Sequence, residues 1–524
     1  MINKCKPEQE DSPATNMPVH VHWREKVILA AIVSVFLATQ IRIAALRLFW
    51  FDELCSLVFS SMPTVKGMLR ALPADGNPPL FFLLARLCLH LPVRAEISLR
   101  LPSMIAIDIA ALMIYLFVRR NTGIIFSFLA MSIFLGCTYG HSASIDARPY
   151  ALLLCITGGA ICCWQSAARG IHRRWALAGI ALCMAGAIFT HHYGVIYVTL
   201  PLAAGECVRA WQRRRIDYPV SAAMLSGALS LFLTFPPMFH GQAGLLKAVK
   251  NCPVFWYRPS LGQLLGYFLT VPRFVPVMIL AAGVFGALMS HAASGARRGP
   301  KEHLHPASRV RMEDLAAGSA LAMILPVMLL VTKFGTGYFN ARYATGSSLG
   351  VAIVSGLLLS LWNERLPEIK AFIVVGVIYC LLTALPVFWP VGPESEAARI
   401  QADPIFLSAS AQEPIVIADA SVFWPTWWYS DFSTRARLHY LSDLSYAVNQ
   451  PDFVGEYSLT LEQPYGVPKL DNYREFLNSH RRFLLFCHRV PRREWTIDRL
   501  RGEGWRLTPI ATSSRNILYQ VDQP

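Results

Sequence analysis

The sequence predicts an all-α polytopic membrane bundle of about eleven transmembrane helices, with amphipathic helices in its outer loops and a small C-terminal α/β soluble domain. Three observations carry this. Hydrophobic residues make up 54% of the 524 and charged residues only 15%, where soluble chains carry roughly 25% charged residues. Apolar runs recur at 27–41, 104–118, 124–139, 151–163, 274–289 and 372–389, nearly free of ionisable side chains. With their flanks they approach the about 20 residues that span hydrocarbon at roughly 1.5 Å rise each. Short basic clusters separate them: Arg119–Arg120, Arg169 with Arg173–Arg174, Arg209 with Arg213–Arg215, and Arg297–Arg298 through Arg311. That is the pattern of cytoplasmic loops.

The net charge of +15 therefore reports topology. Before Pro390 there are 34 Lys and Arg against 17 Asp and Glu, and from Pro390 onward 14 against 16. A basic chain of this size invites a nucleic-acid reading, but the positive excess lies within the hydrophobic part, and no nucleic-acid partner is expected. Twelve cysteines show neither zinc-site nor disulfide-framework spacing. Cys55, Cys88, Cys252 and Cys487 fall on the outer side, where a bridge among them is open but not inferable.

Residues 1–26 are polar and lack a cleavable signal pattern, so they form a cytoplasmic tail and the first apolar run an uncleaved anchor. Alternating the runs places helix one outward over about 27–46 and a long outer loop over about 47–99. The second helix returns over about 101–118, and the third leaves to Tyr139. A short outer loop covers 141–149, the fourth helix returns over about 150–168, and the fifth leaves from about 175 to Thr190. The sixth returns to Trp211 and the seventh leaves over about 220–238. A second outer loop, about 239–272, precedes an eighth helix at 273–291. The ninth ends at Lys333, residues 334–342 lie outside, the tenth returns to Trp362, and the eleventh covers about 371–389. Thus 27–389 is the membrane domain and 390–524 the extracytoplasmic α/β domain. Within the latter, 415–418, 483–486 and 517–521 read as strands, and 472–479 and 495–502 as helices. Outer-loop segments 79–91 and 261–269 read as amphipathic interfacial helices. Lys66, Arg70, Arg86, Arg94 and Arg100 run against the positive-inside bias, which makes them candidates for an anionic ligand.

The chemistry-bearing residues gather at the outer ends. Trp50-Phe51-Asp52-Glu53 places two adjacent carboxylates at the membrane interface, where ionisable groups are functional candidates. On a helix they point about 100° apart, so one can act while the other is held structurally. The competing reading makes Asp52 an interfacial helix cap. Asp75-Gly76-Asn77-Pro78-Pro79-Leu80 reads as a rigid turn into a helix. Asp146, Arg148 and Tyr150 form a second polar mouth, and His191-His192-Tyr193 a third. Asn340, Arg342 and Tyr343 follow just beyond Lys333, and an arginine fork matches phosphate geometry. Alternatively, Arg342 snorkels to the interface. A face of carboxylates, imidazoles and cations above a helix bundle suits an anionic, lipid-linked substrate entering from the bilayer.

These motifs carry a resemblance. Trp50-Phe51-Asp52-Glu53, Asn77-Pro78-Pro79-Leu80, Arg100-Leu101-Pro102-Ser103, Asp146-Ala147-Arg148-Pro149-Tyr150, Thr190-His191-His192-Tyr193-Gly194 and Arg342-Tyr343 occur in that order. Together, over about 27–362, they resemble the GT-C glycosyltransferases of the protein O-mannosyltransferase and lipid A aminoarabinose-transferase type (family 39-like). The C-terminal domain resembles the variable appendage of bacterial members. The resemblance implies transfer of a sugar from a polyprenyl-phosphate donor to a lipid, glycan or protein acceptor at the outer face of the plasma membrane, with inversion. It makes Asp52 the base and Glu53 its rival. Asp146, Arg148, Tyr150, His192, Tyr193, Lys333, Arg342 and Tyr343 then bind substrate, with Arg342 and Lys333 facing the leaving phosphate. Asp146 stands where many relatives carry Glu, so no metal ligand is assigned, although a divalent cation is left open as cofactor. The rival from another class is a transporter or flippase of lipid-linked sugars. It predicts inverted repeats and broken midplane helices, and no internal repeat is visible.

Overall fold

A computed structural model describes residues 21–136, 142–263, 310–363, 412–489 and 494–524. The expected helices at 273–291 and 371–389, most of the tail 1–26 and of the segment 261–269, His141 and residues 390–411 lie outside the described residues. Helix α1 (Trp23–Leu46) is followed by α2 (Phe51–Ser60), α3 (Val65–Ala71), α4 (Leu80–Leu89) and the short α5 (Ala95–Ser98). Next come α6 (Leu101–Arg119), α7 (Ile124–Gly136), α8 (Tyr150–Ala168), α9 (Arg173–Thr190) and α10 (Gly194–Arg213). The rest of the bundle is α11 (Tyr218–Ala228), α12 (Leu231–Asn251), α13 (Met312–Ala322), α14 (Ile324–Phe334) and α15 (Gly346–Asn363).

Among the described residues five helices are long and apolar enough to cross a membrane, or six if α13 and α14 count as one span bent by 47°. The break falls at Met323, and Pro326 explains it: proline has no N–H to donate, and its ring collides with the carbonyl four residues back. The expected helix at 220–238 is instead two helices that run on to Asn251 through Pro236 and Pro237. The core between the membrane helices is continuous and aliphatic, from Phe36 and Ile107 through Leu154 and Ile180 to Leu321 and Ile353.

The two ends of the bundle differ. At one end arginines meet the few carboxylates near them: Arg119 with Glu25, Arg169 with Asp314, and Arg173 and Arg209 with Asp217. At the other lie α2 to α5 and the C-terminal domain. That domain has a five-stranded sheet in the order β2-β1-β5-β7-β6, from β1 (Ile415–Ile417), β2 (Leu438–His439), β5 (Arg482–His488), β6 (Arg506–Thr512) and β7 (Asn516–Asp522). β1 runs parallel to β2 and β5, while β7 is antiparallel to β5 and β6. Ile415, Val416 and Ile417 are all buried, as a parallel strand covered on both faces requires. β6 was not foreseen; Pro509, beside its bulge, is tolerated because the strand is an edge. Helices α16 (Ala420–Tyr429), α17 (Val454–Glu462), α18 (Tyr473–Ser479) and α19 (Trp495–Gly502) complete the domain, with a two-stranded ribbon of β3 (Leu441–Ser442) and β4 (Asp471–Asn472).

This domain is seated on the outer-loop helices. Phe49, Phe51, Phe59, Phe81 and Phe82 share one buried core with Trp424, Phe423, Ile415 and Leu484, and the Phe51 and Trp424 rings meet edge to face at 5.5 Å. A second core joins Val249, Cys252 and Phe255 to Phe453 and Leu485. Cys55, Cys88, Cys252 and Cys487 are free thiols.

Candidate active site

Helix α2 begins at the foot of the membrane bundle, so its first turn carries both carboxylates of the Trp50-Phe51-Asp52-Glu53 motif. Glu53 points inward and is fully buried. Both its oxygens receive Arg100, from Nε and Nη2 at 2.6 Å each, and they also accept the Ala147 N–H at 3.0 Å and the Trp50 N–H at 3.3 Å. Arg100 spends its remaining donors on the carbonyls of Ala44, Arg47 and Leu48. The pair bolts the end of α1, the start of α2 and the 142–149 loop to the head of α6. Glu53 is a clamp.

Asp52 faces the other way, its side chain 29% exposed. Its Oδ2 accepts from Arg342 Nη1 at 2.6 Å, and Oδ1 has no partner among the described residues. The Arg342 guanidinium carbon lies over the Trp50 indole, 4.3 Å from the centroid, a cation–π contact that helps hold the guanidinium in place. The Trp50 Nε1–H donates to Asp146 Oδ1 at 3.0 Å. Trp50 thus links two predicted site residues by its face and its edge. Burial pushes the Asp146 carboxyl above its ordinary range, against the pull of Arg342.

Arg148 donates to Asp75 Oδ2 at 3.0 Å, to the Asp52 carbonyl at 3.2 Å and to Ser56 Oγ at 3.4 Å. The 75–80 turn is therefore more than a turn: it supplies the counter-charge that positions Arg148 under Asp52. Asn77 holds the other Asp75 oxygen at 2.6 Å. Gly76 sits at φ 83°, and a Cβ there would lie 2.8 Å from Gln242 Cγ, so both its handedness and its neighbour demand glycine. His192 Nε2–H donates to the Gly76 carbonyl at 2.9 Å, and burial holds its imidazole below the ordinary range.

Tyr150, His191, Tyr193 and Tyr343 form an aromatic wall, with His191 within 5.8 Å of each of the three tyrosine rings. Burial lowers the His191 pKa to about 3, so this ring is neutral. Asp52, Glu53, Asp146, Arg148, Tyr150, Tyr193, Arg342 and Tyr343 thus gather in one place, with His192 on the adjoining turn. Lys333 does not join them: it is exposed at the end of α14 and makes no hydrogen bond or ion pair with any of them. The outer-loop cations are also reassigned. Arg86 donates to the carbonyls of Ser60, Met62 and Pro63, Arg94 to that of Ala45, and Arg100 to Glu53, so these three fasten the loop rather than await a ligand.

This geometry can be set beside known proteins. The dolichyl-phosphate-mannose-protein mannosyltransferase family matches residues 76–240. Comparison with curated protein sequences finds no match. The crystal structure of ArnT from Cupriavidus metallidurans in the apo state superposes with a TM-score of 0.56 over 95% of this chain and 98% of that one, at 14% identity. The chain has the GT-C glycosyltransferase fold. The same enzyme bound to undecaprenyl phosphate gives a TM-score of 0.53 over 94% and 98%, again at 14% identity.

Within this GT-C fold, the C-terminal domain adds a residue that nothing in the sequence flagged. Glu462, at the end of α17, is 2% exposed and reaches the floor of the site beside Cys55 and Asp75. Burial, reinforced by Asp75, pushes its carboxyl well above the ordinary range, and its Oε2 has no hydrogen-bond partner among the described residues. One oxygen of each carboxylate and the Cys55 sulfur lie within 4.8 Å of one another. A cation there would have to compete with Arg148 for Asp75. Asp419, His488 and Glu494 form a second such trio in the C-terminal domain. Asp146 belongs to neither set, so the described residues offer it no partner ligands for a metal.

Proposed function

We propose that this protein is a membrane glycosyltransferase that moves a sugar from a polyprenyl-phosphate donor to a lipid, glycan or protein acceptor at the extracytoplasmic face of the plasma membrane, with inversion. The observation that carries the reading is the Asp52–Arg342 pair. A partly exposed carboxylate with one unclaimed oxygen stands 2.6 Å from a guanidinium held over an indole, at the end of the bundle opposite the arginine clusters. The positive-inside bias assigns those clusters to the cytoplasm, which puts Asp52 outside.

Asp52 takes the proton of the acceptor hydroxyl as its oxygen attacks the anomeric carbon. The carbon–oxygen bond to the phosphate breaks on the opposite face, and polyprenyl phosphate leaves with the electron pair. Arg342, shifted from Asp52 to the phosphate, balances the charge that develops there. Release of Asp52 by this shift ties activation of the base to arrival of the donor. Arg148 and Asp75 hold the Asp52 backbone in place, while the tyrosine wall flanks the sugar. Undecaprenyl phosphate in the ArnT structure supports a donor of this class.

The test supplies purified protein with radiolabelled polyprenyl-phosphate sugars and envelope acceptors. Transfer by wild type, reduced about 10²–10⁴-fold by Asp52→Asn as for loss of a general base, is expected. Undiminished transfer by that variant removes Asp52 from the reaction. Movement of lipid-linked sugar across reconstituted vesicles without covalent transfer would instead establish a flippase.

A further inference from the structure

We propose that the basic end of the bundle holds a second binding site, for the phosphate of an anionic phospholipid headgroup. A cavity of about 310 Å³ opens there, lined by Ala168, Arg169, Gly170, Arg173, Arg213 and Arg311. Four of its six lining residues are arginines and none is a carboxylate. They come from four different places in the chain: the turn after α8, the first turn of α9, the last turn of α10 and the residue before α13.

Two of the arginines are fixed and two are available. Arg169 donates to Asp314 at 2.6 Å, to Asn121 at 2.8 Å and to the Arg120 carbonyl at 2.9 Å, yet its buried Nε has no partner among the described residues. Arg173 is held by Asp217 at 2.5 Å. Arg311 reaches Glu313 only at 3.8 Å. Arg213 is exposed and makes no ion pair among the described residues. Converging guanidinium groups repel one another unless an anion sits between them, and their planar forks match phosphate oxygens.

Exposed aromatic residues on and next to the helices that line the cavity select the source of that phosphate. Trp175, two residues after Arg173 on α9, Trp211, two residues before Arg213 on α10, and Tyr218 at the start of α11 are 81%, 70% and 72% exposed. Tryptophan and tyrosine so placed mark the headgroup level of a bilayer, and basic pockets between helix ends at that level bind phospholipid headgroups. The site lies at the opposite end of the bundle from Asp52 and stands independently of the transfer reaction.

The experiment is native mass spectrometry of the full-length, detergent-solubilised protein given equal amounts of phosphatidylglycerol and phosphatidylcholine. Wild type should retain phosphatidylglycerol preferentially, and Arg213→Gln should lower that retention about fivefold, with a further loss in Arg213→Gln/Arg311→Gln. Because removing Arg311 leaves the buried Glu313 alone, Arg213→Glu serves as the variant with no partner to lose, and it should abolish the preference. Equal retention of both lipids by wild type, or unchanged retention by Arg213→Glu, overturns the proposal. So does displacement of the lipid by excess inorganic phosphate, which would mark a site for a soluble anion.

Discussion

Glu53→Gln is the substitution that separates a clamp from a base. In the folded protein both Glu53 and Arg100 have side chains with 0% exposure. One Glu53 oxygen accepts from Arg100 Nε and the Ala147 N–H, the other from Arg100 Nη2 and the Trp50 N–H. Whichever way a glutamine amide is turned, its NH₂ faces two donors, and the buried guanidinium loses its counter-charge. Breaking a buried pair by removing one partner costs about 3–5 kcal/mol. An unfolding entropy of roughly 2.1 cal/mol/K per residue makes 1 kcal/mol worth about 1 °C in a chain of 524 residues, so the melting temperature should fall by roughly 3–5 °C. Thermal unfolding of the detergent-solubilised protein reads this directly, and adding Arg100→Gln to Glu53→Gln should restore part of the loss because the orphaned charge is gone. A Glu53→Gln protein that melts like wild type but loses transfer 100-fold or more would refute the clamp and make Glu53 the base.

Other substitutions probe the opposite side of the same turn. Arg342→Ala should lower kcat about 10²–10³-fold, as loss of one charge-stabilising donor does elsewhere; Arg342→Lys should fall between, since it keeps the charge without the fork or the stack over Trp50. Trp50→Phe preserves a ring beneath Arg342 but removes the hydrogen bond to Asp146, so it should retain more transfer than Trp50→Ala in a steady-state comparison of kcat. Asp146 predicts a pH effect. Its folded-state pKa is raised by burial, so the folded protein binds that proton more tightly than the unfolded chain, and stability declines as pH rises from about 3.9 through the folded-state pKa. Asp146→Asn should therefore melt above wild type at about pH 8, with the gap closing on acidification; a gap that widened toward low pH would reverse the sign of the shift.

Local sequence was a good guide wherever the deciding forces were local. The helix at 150–168 was readable because Pro149 and Arg169 bound a run with no charge inside it. Pro236 and Pro237 misled for the opposite reason. They lie just before the expected end at 238, yet α12 runs on to Asn251, and Gln242, a turn and a half further on, fastens that extension to the Pro73 and Ala74 carbonyls at 3.0 and 2.7 Å. Asp52 and Glu53 could not be told apart from adjacency alone. Their roles depend on partners 290 and 47 positions away. Trp50 was visible as part of a motif, yet its work rests on Arg342 and Asp146, which only the fold brings to its face and edge. Lys333, close to Arg342 in sequence, was expected beside the phosphate and is instead left exposed at the end of α14. Glu462 carried no signal at all, being one acid on one helix of a domain that reads as separate.

That last residue changes how the C-terminal domain should be regarded. Around the site three arginines meet three carboxylates: Arg100 with Glu53, Arg148 with Asp75, and Arg342 with Asp52. Asp146 and Glu462 are the two carboxylates left without an arginine of their own, and burial pushes both upward. A charged Glu462 would stand beside Asp75 and draw Arg148 away from it, loosening the hold on the Asp52 backbone. A protonated one leaves that pair intact and can donate a hydrogen bond. The domain reinforces this placement through Tyr429, whose hydroxyl accepts the Phe49 N–H at 2.8 Å, one residue before the Trp50 turn. Since Trp424 and Phe423 share a core with Phe51 and Phe59, displacing the domain would strip the apolar cover from α2, the helix that presents Asp52. The appendage supplies part of the floor of the site, and its seating and the geometry of Asp52 rise or fall together.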